Sequence, residues 1–152
     1  MWRLLTIVGL GLFGPGLSAA PPAITSLYPA GVQRGTTVDI TAAGTFDPWP
    51  VKVWASGPGI TVEAGKDKGK FKVVVAAEAV PGVYWLRAHN VDGASALRPF
   101  FVGMLPEVIE VEPNDTYQKP QAVGPAAVVN GRLEKAGDVD GFAVSVRKGQ
   151  TL

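Results

Sequence analysis

Glu110, Glu112 and Asn114 occupy alternate positions of the run Glu110-Val-Glu112-Pro-Asn114-Asp115-Thr116, and a second acidic turn, Gly137-Asp138-Val-Asp140-Gly141, follows. In an extended backbone side chains two apart point the same way, so the first three would present oxygen-bearing groups from one face. Between Arg98 and Lys119 the chain carries Glu107, Glu110, Glu112 and Asp115 and no basic residue. Such a cluster repels itself unless a cation sits in it. Ca²⁺ takes about 6 to 8 oxygens from carboxylates, amide carbonyls, backbone and water, and Asp138 and Asp140 could complete that number from the second turn. The competing reading is a solvated linker, in which Glu, Pro, Asn and Asp are all common. The i, i+2, i+4 spacing favours calcium.

The run EVEPNDTYQKPQAV, a short strand ending in NGRL, and then GDVDGFAVSVRKGQTL occur in an order that resembles the start of the bacterial pre-peptidase C-terminal domain family, whose relatives include the collagen-binding domains of secreted collagenases. The resemblance implies a small β-sandwich, and in the collagenase branch it implies calcium binding by the acidic segment and the Asp-bearing turn. Carried over by position, the implied ligands are Glu110, Glu112, Asn114, Asp115, Asp138 and Asp140. This chain departs from the family at Gly141, which stands before Phe142 where an aromatic residue is usual. Asp140 is therefore the ligand most exposed to a shifted turn.

No other constellation supports catalysis. His89 is the one histidine, and without a nucleophile-elbow motif or a second metal-binding His or Cys it builds neither a triad nor a zinc site. The protein is expected not to be an enzyme. Gly9, Gly11, Gly14 and Gly16 lack the Lys-Ser/Thr of a phosphate loop. Asn114-Asp115-Thr116 matches a glycosylation sequon, but Asn114 is better used as a ligand. Lys66, Lys68, Lys70 and Lys72 recur at alternate positions and would line one face of a hairpin, where exposed lysines commonly protect an edge. Trp49, between two prolines, and Trp54, which shares a face with Lys52, are candidate exposed aromatics that could stack on sugars or peptides. Trp85 is expected in the core.

The elements that must carry these residues are β-strands. From Pro22 to Val102, short alternating segments lie between turn residues: Ile24 to Tyr28, Thr36 to Ala42, Val51 to Ala55, Ile60 to Ala64, Phe71 to Val75, Val83 to His89 and Ala94 to Val102. Seven strands at this spacing predict an immunoglobulin-like β-sandwich over 21–102. The phrases PAITSLYPAGVQRGTTVDITAAG and PGVYWLRAHNVDGAS are similar to early-set immunoglobulin-like domains of the IPT/TIG type in bacterial surface proteins, which implies an adhesive or spacer module. A linker is predicted at 103–109, then the partial second sandwich, jelly-roll-like, at 110–152, with Phe142, Val144 and Val146 pointing inward. The chain stops two residues into what reads as a further strand. The expectation is a fragment, with a calcium ligand still to come from a later strand and with any catalytic domain of a longer secreted peptidase absent from this chain.

The 152 residues include no cysteine, 19 glycines and 13 prolines. Residues 1–20 read as a secretory signal, with Arg3 as the positive end, an apolar stretch from Leu4 to Leu17 broken by Gly14-Pro15-Gly16, and Ser18-Ala19-Ala20 at the cleavage end. That stretch is too short for a membrane span, and cleavage after Ala20 would leave Pro21 first, so the exact cut stays open. Loss of Arg3 lowers the 14 basic residues by one, to match the 13 acidic ones. A neutral chain argues against nucleic-acid binding. Without disulfides, extracytoplasmic stability must come from core burial and bound metal. Taken together, the sequence predicts a secreted, non-catalytic binding or spacer protein of the periplasm or cell surface, with Ca²⁺ as cofactor and an extracellular protein or polysaccharide as partner. The alternatives are an accessory region of a secreted peptidase and a carbohydrate-binding sandwich using Trp49 and Trp54.

Overall fold

The structure, a computed structural model, describes residues 20–151. The predicted secretory signal lies outside the described residues except for its last position. All regular elements among the described residues are β-strands, and no helix is long and apolar enough to cross a membrane.

The first unit is a β-sandwich of two sheets. One sheet contains β1 (Ala23–Tyr28), β3 (Thr37–Thr45), β5 (Ile60–Ala64) and β6 (Lys70–Val75), in the order β1-β3-β6-β5 and antiparallel throughout. The other contains β2 (Gly31–Gln33), β4 (Lys52–Ala55), β7 (Gly82–Asn90), β8 (Gly93–Ala94) and β9 (Arg98–Gly103), in the order β2-β9-β7-β4 with β8 paired to β7. Strand alternation selects the inner faces. On β6, Phe71, Val73 and Val75 are buried while Lys70, Lys72 and Val74 point out. On β7, Tyr84, Leu86 and Ala88 are buried. Phe46, Phe71 and Trp49 close one end of this core with edge-to-face contacts, Trp49 lying 5.3 Å from Phe71 and 6.0 Å from Phe46.

The observed strands follow the predicted ones closely, with two additions. Pro29-Ala-Gly31, expected as a plain turn, leads directly into β2, which pairs in parallel with β9. The turn after β7 is short enough that Gly93-Ala94 folds back as β8 opposite His89 and Asn90. Gly44 marks a position where only glycine fits: its φ is +145°, and a Cβ there would lie 1.9 Å from the Ala23 carbonyl oxygen, beside the bulge in β1.

One tryptophan expectation fails, and another is decided in favour of packing over ligand stacking. Trp49 is packed against the core and donates from Nε1 to the Gly65 carbonyl at 3.3 Å, so it is not available for stacking on a ligand. Its proline neighbours hold the loop across the end of the sandwich, where the indole covers apolar surface. Trp85, expected inside, is 44% exposed. The run Val83-Tyr-Trp-Leu is apolar at every position, so alternation alone does not select a face; the inward site goes to Tyr84, whose hydroxyl donates to the Val80 carbonyl at 3.1 Å. Of the predicted lysine row, Lys70 and Lys72 share the outward face of β6, but the side chains meet partners there. Lys68 pairs with Asp47, Lys70 donates to Thr41 Oγ1 at 2.6 Å, and Lys72 sits between Asp39 and Glu63 in register.

The second unit begins earlier than expected, because Glu107–Ile109 is a strand, β10, rather than part of a linker. It pairs in parallel with β12 (Val128–Asn130), while β11 (Gln121–Val123) pairs in parallel with β13 (Phe142–Val144). Phe142, Val144 and Val146, expected to point into a core, are exposed. Two-stranded ladders have no second layer of their own to cover such a face. The units are tied together at β12: the Tyr28 hydroxyl donates to the Asn130 carbonyl at 3.1 Å, the Ala30 amide donates to Asn130 Oδ1 at 3.3 Å, and the Arg132 guanidinium lies 4.5 Å from the Tyr28 ring centroid.

Candidate cation site

The acidic segment leaves β10 at Glu110 and turns, instead of continuing as the extended strand its spacing implied. Gln121 at the start of β11 holds the turn from the side, accepting from the Val111 amide at 2.8 Å and donating to the Ile109 carbonyl at 2.9 Å. Asn114 is thereby carried inward. It is 1% exposed, the one buried residue of the second unit, and its Nδ2 donates to Glu110 Oε1 while its backbone amide donates to Glu112 Oε2, both at 2.9 Å.

The Asp138–Asp140 turn closes over this segment. The Gly141 amide donates to the Asn114 carbonyl at 3.0 Å, and a Cβ at position 141 would stand 2.9 Å from that oxygen. This close approach accounts for glycine at position 141, and Asp140 lies within the cluster. Carboxylate oxygens of Glu110, Glu112 and Asp140 lie within 4.8 Å of one another, and so do those of Glu112, Asp115 and Asp138. Glu112 belongs to both triads. All six residues singled out from the sequence are thus brought together, around a centre that the sequence did not identify.

Three oxygens in the cluster are buried without a hydrogen-bond partner: Asn114 Oδ1, Asp138 Oδ1 and Asp140 Oδ1. Lys135 Nζ is 3.7 Å from Asp138 Oδ1, too far for a hydrogen bond, while Asp138 Oδ2 accepts from the Glu134 amide at 2.5 Å. A buried acceptor with no donor loses its hydration without recompense. Here three such acceptors belong to residues of one carboxylate cluster, which offers hard oxygen donors of the kind Ca²⁺ takes.

The protonation behaviour carries the same asymmetry. The Asn114 side chain and the Arg132 amide hold Glu110 below the usual carboxylate range, and the Glu134 amide does the same for Asp138. Asp140 goes the other way: burial, followed by the negative charge of Glu110, pushes its carboxyl up. Glu110 also reaches outward, since its Oε2 accepts from the Arg132 amide at 2.6 Å. Arg132 and Gln121, which connect the cluster to its surroundings, had no signal in the sequence, because their roles arise from pairings across the fold.

Trp54, the other candidate ligand-binding residue, is half exposed on β4, far in sequence from this cluster and on the outer face of the sandwich. His89 is paired opposite Lys52 on the same outer face.

No protein-family model matches the chain, and no curated protein matches it. Among solved structures it is similar to a chimeric titin Z1Z2 functionalized with an exogenous KLER peptide from decorin, at 24% identity and a TM-score of 0.34, over 55% of this chain and 94% of that one. A likeness of that degree carries no argument about function. The two-sheet pairing and the single apolar core of residues 23–103 identify the first unit as an immunoglobulin-like β-sandwich.

Proposed function

We propose that the protein is a secreted, non-catalytic binding or spacer protein whose acidic segment takes Ca²⁺, with Glu110, Glu112, Asn114, Asp115, Asp138 and Asp140 supplying side-chain oxygens. The observation that carries this reading is the trio of buried acceptors without donors, Asn114 Oδ1, Asp138 Oδ1 and Asp140 Oδ1, in one cluster with the carboxylates of Glu110, Glu112 and Asp115. The pattern EVEPND followed by GDVDG, with its resemblance to the pre-peptidase C-terminal family, supports the same assignment. Without a cation the carboxylates repel, and the turn is held by the Asn114 and Gln121 side chains and by backbone amides. With the cation bound, the two acidic segments are drawn together.

The cluster also reaches the sandwich. Glu110 fixes the Arg132 amide, Arg132 stacks on Tyr28, and the neighbouring Asn130 accepts from Tyr28. Calcium held by Glu110 would thus stiffen the junction between the two units, as a spacer at a cell surface requires.

Calorimetric titration of residues 21–152 with Ca²⁺, beside a Glu112→Gln, Asp138→Asn double variant, tests the assignment. Saturable heat in the parent that is lost in the variant is the expected result. A parent that gives no heat at millimolar Ca²⁺ overturns it.

A further inference from the structure

The outer face of the β2-β9-β7-β4 sheet presents aromatic and cationic side chains that neither unit covers. Strand register arranges them in rows: Lys52 opposite His89, Trp54 opposite Arg87, Trp85 opposite Pro99, and Val83 opposite Phe101. Trp54 is 50% exposed, and Val83 and Phe101 are similarly open to solvent. Because Trp54 is paired with Arg87, Trp85 is its diagonal neighbour across the β4–β7 ladder, roughly 7–8 Å away. Both tryptophans therefore project from the same outer face. A shallow depression of about 380 Å³ opens beside Trp54, lined by Trp54, Arg87, His89, Ala94 and Leu97.

Charge selects the occupant. Lys52, Arg87 and His89 lie on this face, and no Asp or Glu occupies any position of its paired rows. The opposite sheet is built differently: on its outer face Lys72 is flanked in register by Asp39 and Glu63. A lone aromatic row would suit any apolar partner, but a row in which Arg87 stands beside the tryptophans with Lys52 at its end and no acid in register suits a ligand that is both flat and anionic. Indole faces stack on the C–H face of a sugar ring, and a guanidinium pairs with a carboxylate through two parallel hydrogen bonds. A nucleic acid has bases to stack and phosphates to pair, but it requires a continuous basic track, which one lysine and one arginine on a chain of formal net charge +1 do not provide. We propose that this face, centred on Trp54, Trp85 and Arg87, is a binding platform for an acidic polysaccharide of the uronic-acid class.

The test uses the secreted chain with polygalacturonate as probe, in EDTA, so that the acidic cluster around Asn114 plays no part. Neutral dextran and a single-stranded oligonucleotide are run alongside. Trp54→Ala, Trp85→Ala and Arg87→Gln are each expected to weaken polygalacturonate binding roughly tenfold, corresponding to about 1.4 kcal/mol. Their exposed positions should leave the melting transition intact, and Arg87→Lys keeps the charge while removing the fork, so it should recover only part of the loss. Lys72→Gln on the opposite sheet should change nothing. Absence of binding overturns the proposal. Equal binding of dextran, preferential binding of the oligonucleotide, or a loss in Lys72→Gln equal to that in Arg87→Gln also overturns it.

Discussion

Residues 23–103 and 107–151 are both built of short strands, yet they are organised around opposite kinds of interior. In the first unit every buried side chain of any size is apolar, from Ile24 to Val102, and its one buried polar side chain, Ser95, has its hydroxyl donating to the Ala96 carbonyl at 2.8 Å. In the second, the single buried residue is Asn114, and Phe142, Val144 and Val146 face solvent. Apolar burial needs no ligand to be favourable. A cluster of converging oxygens is favourable only when something positive completes it. The difference predicts that the first unit is stable by itself and that the order of the second depends on a cation.

The largest expected effect lies in the apolar interior. Phe100→Ala, at a fully buried position between the sheets, should cost about 3–5 kcal/mol and lower the midpoint of chemical denaturation with or without Ca²⁺. Calcium sensitivity of that loss would break the distinction between the units. Removing Ca²⁺ should act on the other side. At about 100 times its dissociation constant the ion contributes about 2.7 kcal/mol to the unit that binds it. EDTA should therefore raise hydrogen exchange across 107–151 and leave β3, β6 and β7 protected. Uniform exchange changes in both units would contradict the assignment.

Two smaller changes sharpen the comparison. Gly141→Ala would place a methyl group 2.9 Å from the Asn114 carbonyl and force the two acidic segments apart. Calcium affinity should fall on the order of tenfold, with the sandwich melting transition unmoved; a loss of about 1–2 kcal/mol is usual for such a clash. Tyr28→Phe removes the hydroxyl that donates to Asn130 and keeps the ring beneath Arg132. It should cost about 0.5–1.5 kcal/mol of coupling between the units, seen as separation of their unfolding transitions.

The pH response should be the smallest of these effects, and it has two opposing parts. Glu110 and Asp138 have lowered values, so the stability they contribute to the calcium-free second unit is present above their ordinary 4.5 and 3.8 and is lost as pH falls through the folded values. Asp140 is raised, so its contribution is full below 3.8 and is lost as pH rises through its folded value. Asp140→Asn should abolish the loss on the rising side and keep the loss on the acid side. Exchange protection of 107–151 measured in EDTA across pH 3–7 reads both limbs.

Much of the sandwich was legible because its strands alternate cleanly. Phe71, Val73 and Val75 are separated by lysine and valine, and the buried face can be read directly from that order. The six oxygen-bearing residues of the candidate site were legible for a similar reason: Glu110, Glu112, Asn114 and Asp115 lie in a stretch without a basic residue, and Asp138 and Asp140 alternate within one turn. The failures have two causes: Phe142, Val144 and Val146 alternate cleanly but face solvent because no second layer covers their ladder, whereas the tryptophans lack a periodic signal. Trp85 sits in an unbroken apolar run and Trp49 between prolines, so periodicity could assign neither of them a face. Trp49 became a lid on Phe46 and Phe71, while Trp85 joined an outer surface with Trp54 that no local pattern announces.

Residue order thus established the strand content, the sandwich of the first unit and the identity of the oxygen-bearing residues, because each depends on neighbours a few positions apart. The burial of Asn114 between Glu110 and Gly141, the inward turn of Asp140, the clasp of Arg132 on Tyr28 and the row formed by Trp54, Arg87 and Trp85 depend on pairings between distant strands. Those pairings are selected by which arrangement buries the most apolar surface and leaves the fewest polar atoms without partners, a balance that exists only once the chain has closed on itself.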